Sequence, residues 1–109
     1  MRRYESVIII NAQLEDKEIK DTISKYKDLM QSFSNKEPEV DDIGKRKLAY
    51  EVKKQDTGYY AVFKFAAQPE NISELERQYR IDDNVLKFMT VKQDELEYDE
   101  SEEEDEEEY

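Results

Sequence analysis

Apolar and polar residues change their spacing along this chain in a way that separates six elements. Tyr4 to Ile10 is rich in β-branched residues and too short for an ordinary helix, so it reads as a strand that ends at the turn residue Asn11. From Asp16 to Phe33, apolar residues recur at Ile19, Ile23, Tyr26, Met30 and Phe33, in steps of four, three, four and three. That spacing draws one stripe along a helix whose other face is Lys, Asp and Glu. Ser34-Asn35-Lys36-Glu37-Pro38 ends the helix, because Pro cannot continue it and Ser and Asn favour turns. Val40 to Lys53 follows as extended chain, with Leu48, Tyr50 and Val52 alternating against Ala49, Glu51 and Lys53. Gln55-Asp56-Thr57-Gly58 places a glycine where a turn needs a positive φ, which predicts a hairpin into the aromatic and β-branched run Tyr59 to Ala66. Pro69 to Arg80 reads as a shorter helix with Ile72, Leu75 and Tyr79 on one side, and Asn71 followed by Glu74 has the spacing of a capping box. Asp82-Asp83-Asn84 stops it. Val85 to Lys92 is then a last strand, with Val85, Met89 and Val91 opposed to Leu86, Phe88 and Lys92.

Strand, helix, strand, strand, helix, strand is the order of a ferredoxin-like βαββαβ sandwich. This is an α+β fold in which two helices cover one face of a four-stranded antiparallel sheet. A sheet covered on one side should alternate apolar inward and polar outward. The first strand does not, because Ile8 and Ile10 share one face while Val7 and Ile9 share the other. Something therefore covers the open face, either loops and the tail of the chain itself or a partner.

Composition narrows the chemistry. The 109 residues suit one compact domain, and they include no His, Cys or Trp. Without His and Cys the commonest general base, the thiolate nucleophile and the usual zinc ligands are missing. The only glycines, Gly44 and Gly58, cannot form a phosphate-cradling loop, which excludes the common nucleotide-binding fingerprints. No apolar run approaches the roughly 18 residues of a membrane span. The start, Met1-Arg2-Arg3-Tyr4-Glu5, leads into a strand rather than a cleavable signal, so a cytoplasmic protein is the simplest expectation.

The net charge of −12 misleads until it is divided along the chain. All 17 Lys and Arg lie at or before Lys92, where the acids match them in number, and the excess negative charge belongs wholly to the segment after residue 93. Two regions follow: a folded domain over residues 1–93 and an acidic C-terminal tail over 94–109, expected to be disordered because it offers almost nothing to a core. A solvated tail is the plain reading. It could also compete with RNA for a basic surface, bind divalent cations loosely or aid solubility, although it lacks the spacing of a calcium loop.

The neutral domain can still segregate its charges into a basic face. Paired-carboxylate catalysis has little support, since Asp41-Asp42 and Asp82-Asp83 look like exposed turn pairs and nothing marks a shielded acid. Basic clusters are the better lead. Arg2-Arg3 opens the first strand, Lys45-Arg46-Lys47 precedes Leu48, Lys87 and Lys92 lie on the last strand, and Arg80 closes the second helix. Such groups bind phosphates with salt-dependent affinity and little sequence information. The predicted topology allows the clusters at 2–3 and 45–47 to lie near each other. Thr57-Gly58-Tyr59-Tyr60-Ala61-Val62-Phe63 matches the stacking signature of RNA-recognition motifs only at the glycine and first aromatic, so core or partner packing is the better role for these rings.

Four stretches together carry a family resemblance: Met1-Arg2-Arg3-Tyr4-Glu5, Gly44-Lys45-Arg46-Lys47-Leu48-Ala49-Tyr50, Gly58-Tyr59-Tyr60, and Arg80-Ile81-Asp82-Asp83-Asn84-Val85-Leu86-Lys87-Phe88-Met89 through Val91-Lys92. In this order and spacing the sequence resembles bacterial small-subunit ribosomal protein six over residues 1–93. It departs from the family at Glu51 and Val52, where Pro and Ile are usual, and at Ala12, where Pro is common. The resemblance implies the same ferredoxin-like fold and a non-catalytic, cofactor-free component of the ribosomal small subunit. Such a protein binds the central domain of small-subunit ribosomal RNA together with small-subunit ribosomal protein eighteen. Carried over by position, Arg2, Arg3, Lys45, Arg46, Lys87 and Lys92 become the candidate phosphate contacts, with Arg3 and Arg46 foremost because guanidinium binds bidentately. Tyr4 and Tyr50 become candidates for the partner surface, with plain packing the alternative for each. The competing function is a ferredoxin-like interaction or regulatory module that uses its open face to self-associate or to hold a small ligand.

Overall fold

The computed structural model describes residues 1–93; the expected acidic tail lies outside the described residues. The elements are β1 (Arg2–Asn11), α1 (Asp16–Ser34), β2 (Glu39–Val52), β3 (Gln55–Ala67), α2 (Pro69–Ile81) and β4 (Val85–Lys92). They form one sheet in the order β2-β3-β1-β4, antiparallel at every pairing, which is the expected ferredoxin-like arrangement.

The register explains the doubly apolar first strand. Tyr4, Ser6, Ile8 and Ile10 of β1 lie opposite Phe65, Phe63, Ala61 and Tyr59 of β3 and face the helices, where Ile8 and Ile10 are fully buried. Val7 and Ile9 pair with Val62 and Tyr60 on the other face. Helix α1 closes the core with Ile19, Tyr26 and Met30, and α2 with Leu75 and Tyr79. The apolar stripes read from the sequence are therefore the faces laid on the sheet.

Ends and turns depart from the sequence expectations in four places. Helix α2 is capped from Gln68, whose N–H donates to the Asn71 side-chain oxygen at 2.8 Å, so Asn71 is the returning partner rather than the cap. Glu74 turns outward to Arg77 and Gln78 instead. The hairpin turn sits at Lys53-Lys54, with φ of +53° and +68°, and not at Gly58. A two-residue turn with both φ positive matches the strand twist, but Asn and Gly are its usual residues and a lysine there is strained. Gly58 lies inside β3 because a Cβ there would come 2.2 Å from Ile9 Cγ2. Finally, the β1–β4 register shifts between Ile9 and Ile10, which pair with Lys87 and Val85 and leave Leu86 as the extra residue. That bulge turns Val85 into the core and off the face of Met89. A second shift lies between Asp42 and Gly44 on β2, where Gly44 takes a φ of +99°.

Two polar groups inside this packing are fully engaged. Ser6 is wholly buried, with its hydroxyl 2.7 Å from the Tyr79 hydroxyl and 3.0 Å from that of Thr90, joining β1, α2 and β4. Asp82, just past α2, accepts hydrogen bonds from Lys25 Nζ at 2.8 Å and the Tyr26 hydroxyl at 2.6 Å on α1, and from the Asn84 N–H at 2.9 Å. Burial pushes the Asp82 carboxyl up, but these three donors outweigh it and hold the group below the usual carboxylate range. The same contact works in reverse on Tyr26, where burial and then the hydrogen bond to Asp82 push the phenol far up.

Gly58→Ala should destabilise the domain by about 1–3 kcal/mol, because the β-branched Ile9 has little rotamer freedom with which to clear the added methyl. Denaturant unfolding measures it, and an unchanged midpoint would contradict the close approach. Asp82→Ala should cost about 2–3 kcal/mol near neutral pH through loss of charge-assisted hydrogen bonds. Because the folded carboxyl is the stronger acid, its contribution is complete above the unfolded value of about 3.9 and disappears as pH falls through the lower folded value. The wild-type and variant stabilities should therefore converge below about pH 4 in an acid unfolding series.

Candidate nucleic-acid interface

The helices cover one sheet face and leave the other open. Val7 and Ile9 of β1, Tyr60 of β3 and Met89 of β4 border a shallow depression of about 190 Å³ at its centre. Met89 is 59% exposed and Val91, farther along β4, is 44% exposed, so the apolar centre meets solvent. The far end of β2 partly shields one side. Leu48 lies on this face, with its Cδ2 3.3 Å from where a Gly58 Cβ would stand, and is 7% exposed. Leu48, Tyr50 and Val52 border a smaller hollow with Ile9 and Tyr60, so the alternation read along β2 brings its apolar members onto one side. The end of β2, a strand rather than a loop, thus supplies part of the cover that the sequence demanded, and Val7, Met89 and Val91 remain outside it.

The cations divide into two groups at opposite ends of the sheet. Arg3 pairs with Ala66 and Arg46 with Gly58, both on the open face. The eight residue steps along β3 from Gly58 to Ala66 span about 26 Å. The clusters at 2–3 and 45–47 are therefore far apart, a correction to the proximity that topology alone allowed, because the strand register sets position along the sheet. Lys92 pairs with Tyr4 and joins the Arg2-Arg3 end, whereas Lys87 pairs with Ile9 and joins the Arg46 end. Lys45 is exposed beside Arg46, opposite Tyr59, and so on the neighbouring face of β2; Arg2 lies opposite Ala67.

The two tyrosine candidates separate. Tyr4 is a core residue, 7% exposed and stacked on Phe65 with ring centres 6.0 Å apart. Packing, not a partner surface, is its place, because even-numbered positions of β1 face the helices. Tyr50 is 64% exposed and accepts a hydrogen bond from Lys87 Nζ at 2.8 Å. The ammonium holds the Tyr50 phenol below its ordinary value, and the phenol raises Lys87 in return. Lys87 therefore keeps its positive charge while being oriented at the rim of the apolar face.

Of the three aromatic rings near Gly58, Tyr60 alone faces outward. Phe63 is fully buried, and Tyr59 packs against the core with its hydroxyl donating to Asp42, a contact that, with burial, pushes the phenol up to about 12. A multi-ring stacking platform of the RNA-recognition type is absent from the described residues. So is any group of three or more metal-ligating side chains, and no helix among them is long and apolar enough to cross a membrane. What the face offers is an apolar centre for a protein surface and guanidinium and ammonium groups at its ends for phosphates.

Known proteins share this sequence pattern and this fold. The family model described as ribosomal protein S6 matches residues 3–92. Among individual proteins, the small ribosomal subunit protein bS6 of Helicobacter acinonychis is 44% identical over 94 residues, covering 86% of this chain and 66% of that protein. Those of Clostridium novyi and of Clostridium botulinum strain 657 are 42% identical, covering 84% and 86% of this chain and 96% and 100% of their own lengths. The crystal structure of 30S ribosomal protein S6 from Thermotoga maritima superposes with a TM-score of 0.80 at 30% identity, covering 87% of this chain and 90% of that one. With the fold and the run of matched residues in agreement, the chain belongs to the ribosomal protein S6 family.

Proposed function

We propose that this small-subunit ribosomal protein, a non-enzymatic component of the cytoplasmic ribosome, binds the central domain of small-subunit ribosomal RNA jointly with small-subunit ribosomal protein eighteen. The observation that carries the reading is the open sheet face, which has an exposed apolar centre around Val7, Ile9 and Met89 and cations at both ends. An apolar centre of this kind fits a protein partner, since nucleic acid offers little apolar surface to bury. The cations fit RNA phosphates, with Arg3 and Arg46 as bidentate anchors on the open face and Arg2, Lys45, Lys87 and Lys92 as further positive charges around them. Tyr50, holding Lys87 at the border between the two, belongs to the partner-facing surface. A span of about 26 Å between the anchors separates their phosphates by several nucleotides.

Binding to a central-domain RNA fragment, with and without protein eighteen and across a salt series, tests the whole reading. Tight binding that needs the partner and weakens with salt is expected; no binding under either condition would leave the interaction module as the better function. Arg3→Ala and Arg46→Ala should each weaken binding and reduce the log–log salt slope by about one. Their effects should add, because sites farther apart than about 10 Å rarely couple. A double variant no weaker than either single one would mean that the two ends do not engage the same RNA. Met89→Asp should leave the melting curve intact, since the side chain already meets solvent, and abolish co-sedimentation with protein eighteen. Retained co-sedimentation would place the partner elsewhere.

A further inference from the structure

The hairpin tip, the end of α2 and the start of β4 border a cleft of about 460 Å³ that opens to solvent at the rim of the sheet. Three cations line it, Lys53, Arg80 and Lys87, above the ring of Phe88, and no carboxylate lines it. Each cation reaches the cleft from a different element and is held there. Lys53 Nζ donates to the Val85 carbonyl at 3.3 Å, Lys87 is held by Tyr50, and the Arg80 guanidinium lies 5.6 Å from the Phe88 ring centre. The ion pair of Arg80 with Glu76 is long, at 3.8 Å, beyond the 2.7–2.9 Å typical of a charge-assisted hydrogen bond. Most of the five-donor guanidinium fork therefore remains available to a ligand.

The backbone adds a separate observation. Lys53 occupies the left-handed region, with φ of +53°, at a turn position where Asn is among the favoured residues. Strain of this kind, retained where an unstrained residue type would serve the turn, is commonest where the side chain has work to do. Here the side chain puts an ammonium on the wall of the cleft. The volume lies within the roughly 300–1,000 Å³ of small-ligand sites and exceeds the needs of a lone phosphate. Converging positive charge beside a partly exposed aromatic ring is the combination that holds a nucleotide, the cations taking the phosphate and the ring the base or sugar.

We propose that this cleft receives one nucleotide of the bound RNA, with its phosphate between Lys53 and Arg80 and its base or ribose against Phe88. The proposal rests on the RNA-binding reading above and extends it to two residues outside the candidate phosphate contacts.

The test is binding of the full chain to the central-domain RNA fragment, with protein eighteen present, across a salt series. Wild type is compared with K53N, R80Q and the control K20Q, a neutralisation on the exposed side of α1. Asn suits the turn, so K53N should melt at or above the wild-type temperature. K53N and R80Q should each bind several-fold more weakly, with a log–log salt slope shallower by about one, while K20Q matches wild type. Since the chain has no Cys of its own, K54C gives a single attachment point for an iron chelate beside the cleft, and the chelate should cut the RNA at one short stretch. Affinities and slopes for K53N and R80Q equal to those of wild type would overturn the cleft assignment and leave the RNA reading standing. A wild-type protein that fails to bind overturns both. Variants that bind RNA normally but lose association with protein eighteen when RNA is absent would identify an acidic protein segment as the occupant, and would also overturn the proposal.

Discussion

Everything in this domain is organised around β1, a strand hydrogen-bonded on both sides and apolar on both faces. Its helix-facing residues anchor a core in which Ile8 and Ile10 lose all contact with water. Complete burial of such a side chain contributes about 1.5–3 kcal/mol. Its other face cannot be hidden by the helices, which already lie on the opposite side of the sheet. The fold answers this demand in part, by bringing the end of β2 over Ile9 and by omitting a side chain at Gly58 so that Ile9 can settle against the backbone. What remains exposed around Val7 and Met89 is surface that a strand at the centre of the sheet cannot bury by itself, and it is the surface on which the proposed partner would sit.

Placement of the cations depends on the same strand. Successive residues of β1 point to opposite faces, so Arg2 and Arg3, adjacent in sequence, cannot serve the same surface in the same way. The bulge at Leu86 has a comparable effect on β4. It gives Val85 to the core while keeping Lys87 beside Ile9, where Tyr50 fixes its ammonium. Lys87 thus stands between the apolar centre and the charged rim, which is where a protein surface and a phosphate backbone would meet.

The fold was legible in the sequence because the two periodicities are strong: α1 and β1 each repeat an apolar position often enough to define a face. What escaped had weak local signals or none. A Lys-Lys pair is not a turn signature, whereas a segment ending in Gly58 looks like one, so the local pattern points to residues 55–58 and away from the actual turn at Lys53-Lys54. Its actual reason, the approach of Ile9, is a contact between distant strands that no local pattern records. Gln68 is not a usual helix-start residue, whereas Asn71 and Glu74 have the familiar capping-box spacing, so the true cap carries the weaker local signal. At the site, residue types were legible and distances were not. Arg3 and Arg46 read as one basic surface until the register set them at opposite ends, and the gathering of Lys53, Arg80 and Lys87 from three elements has no counterpart in the linear sequence.

The irregularity of β2 bears on the protein before it is assembled. This strand is an edge of the sheet, and a long, flat edge with unpaired N–H and C=O groups invites a second chain to extend it. Beyond Val40 the strand carries Asp41, Asp42, Lys45, Arg46 and Lys47, and it is broken at Ile43 by a register shift that Gly44 accommodates at a φ of +99°. A second copy meeting this edge would face mismatched hydrogen-bond spacing and would have to desolvate a run of charged side chains. The kink and its charges thus act as a guard against strand-to-strand aggregation, so that a chain with an open apolar face does not expose an adhesive edge as well.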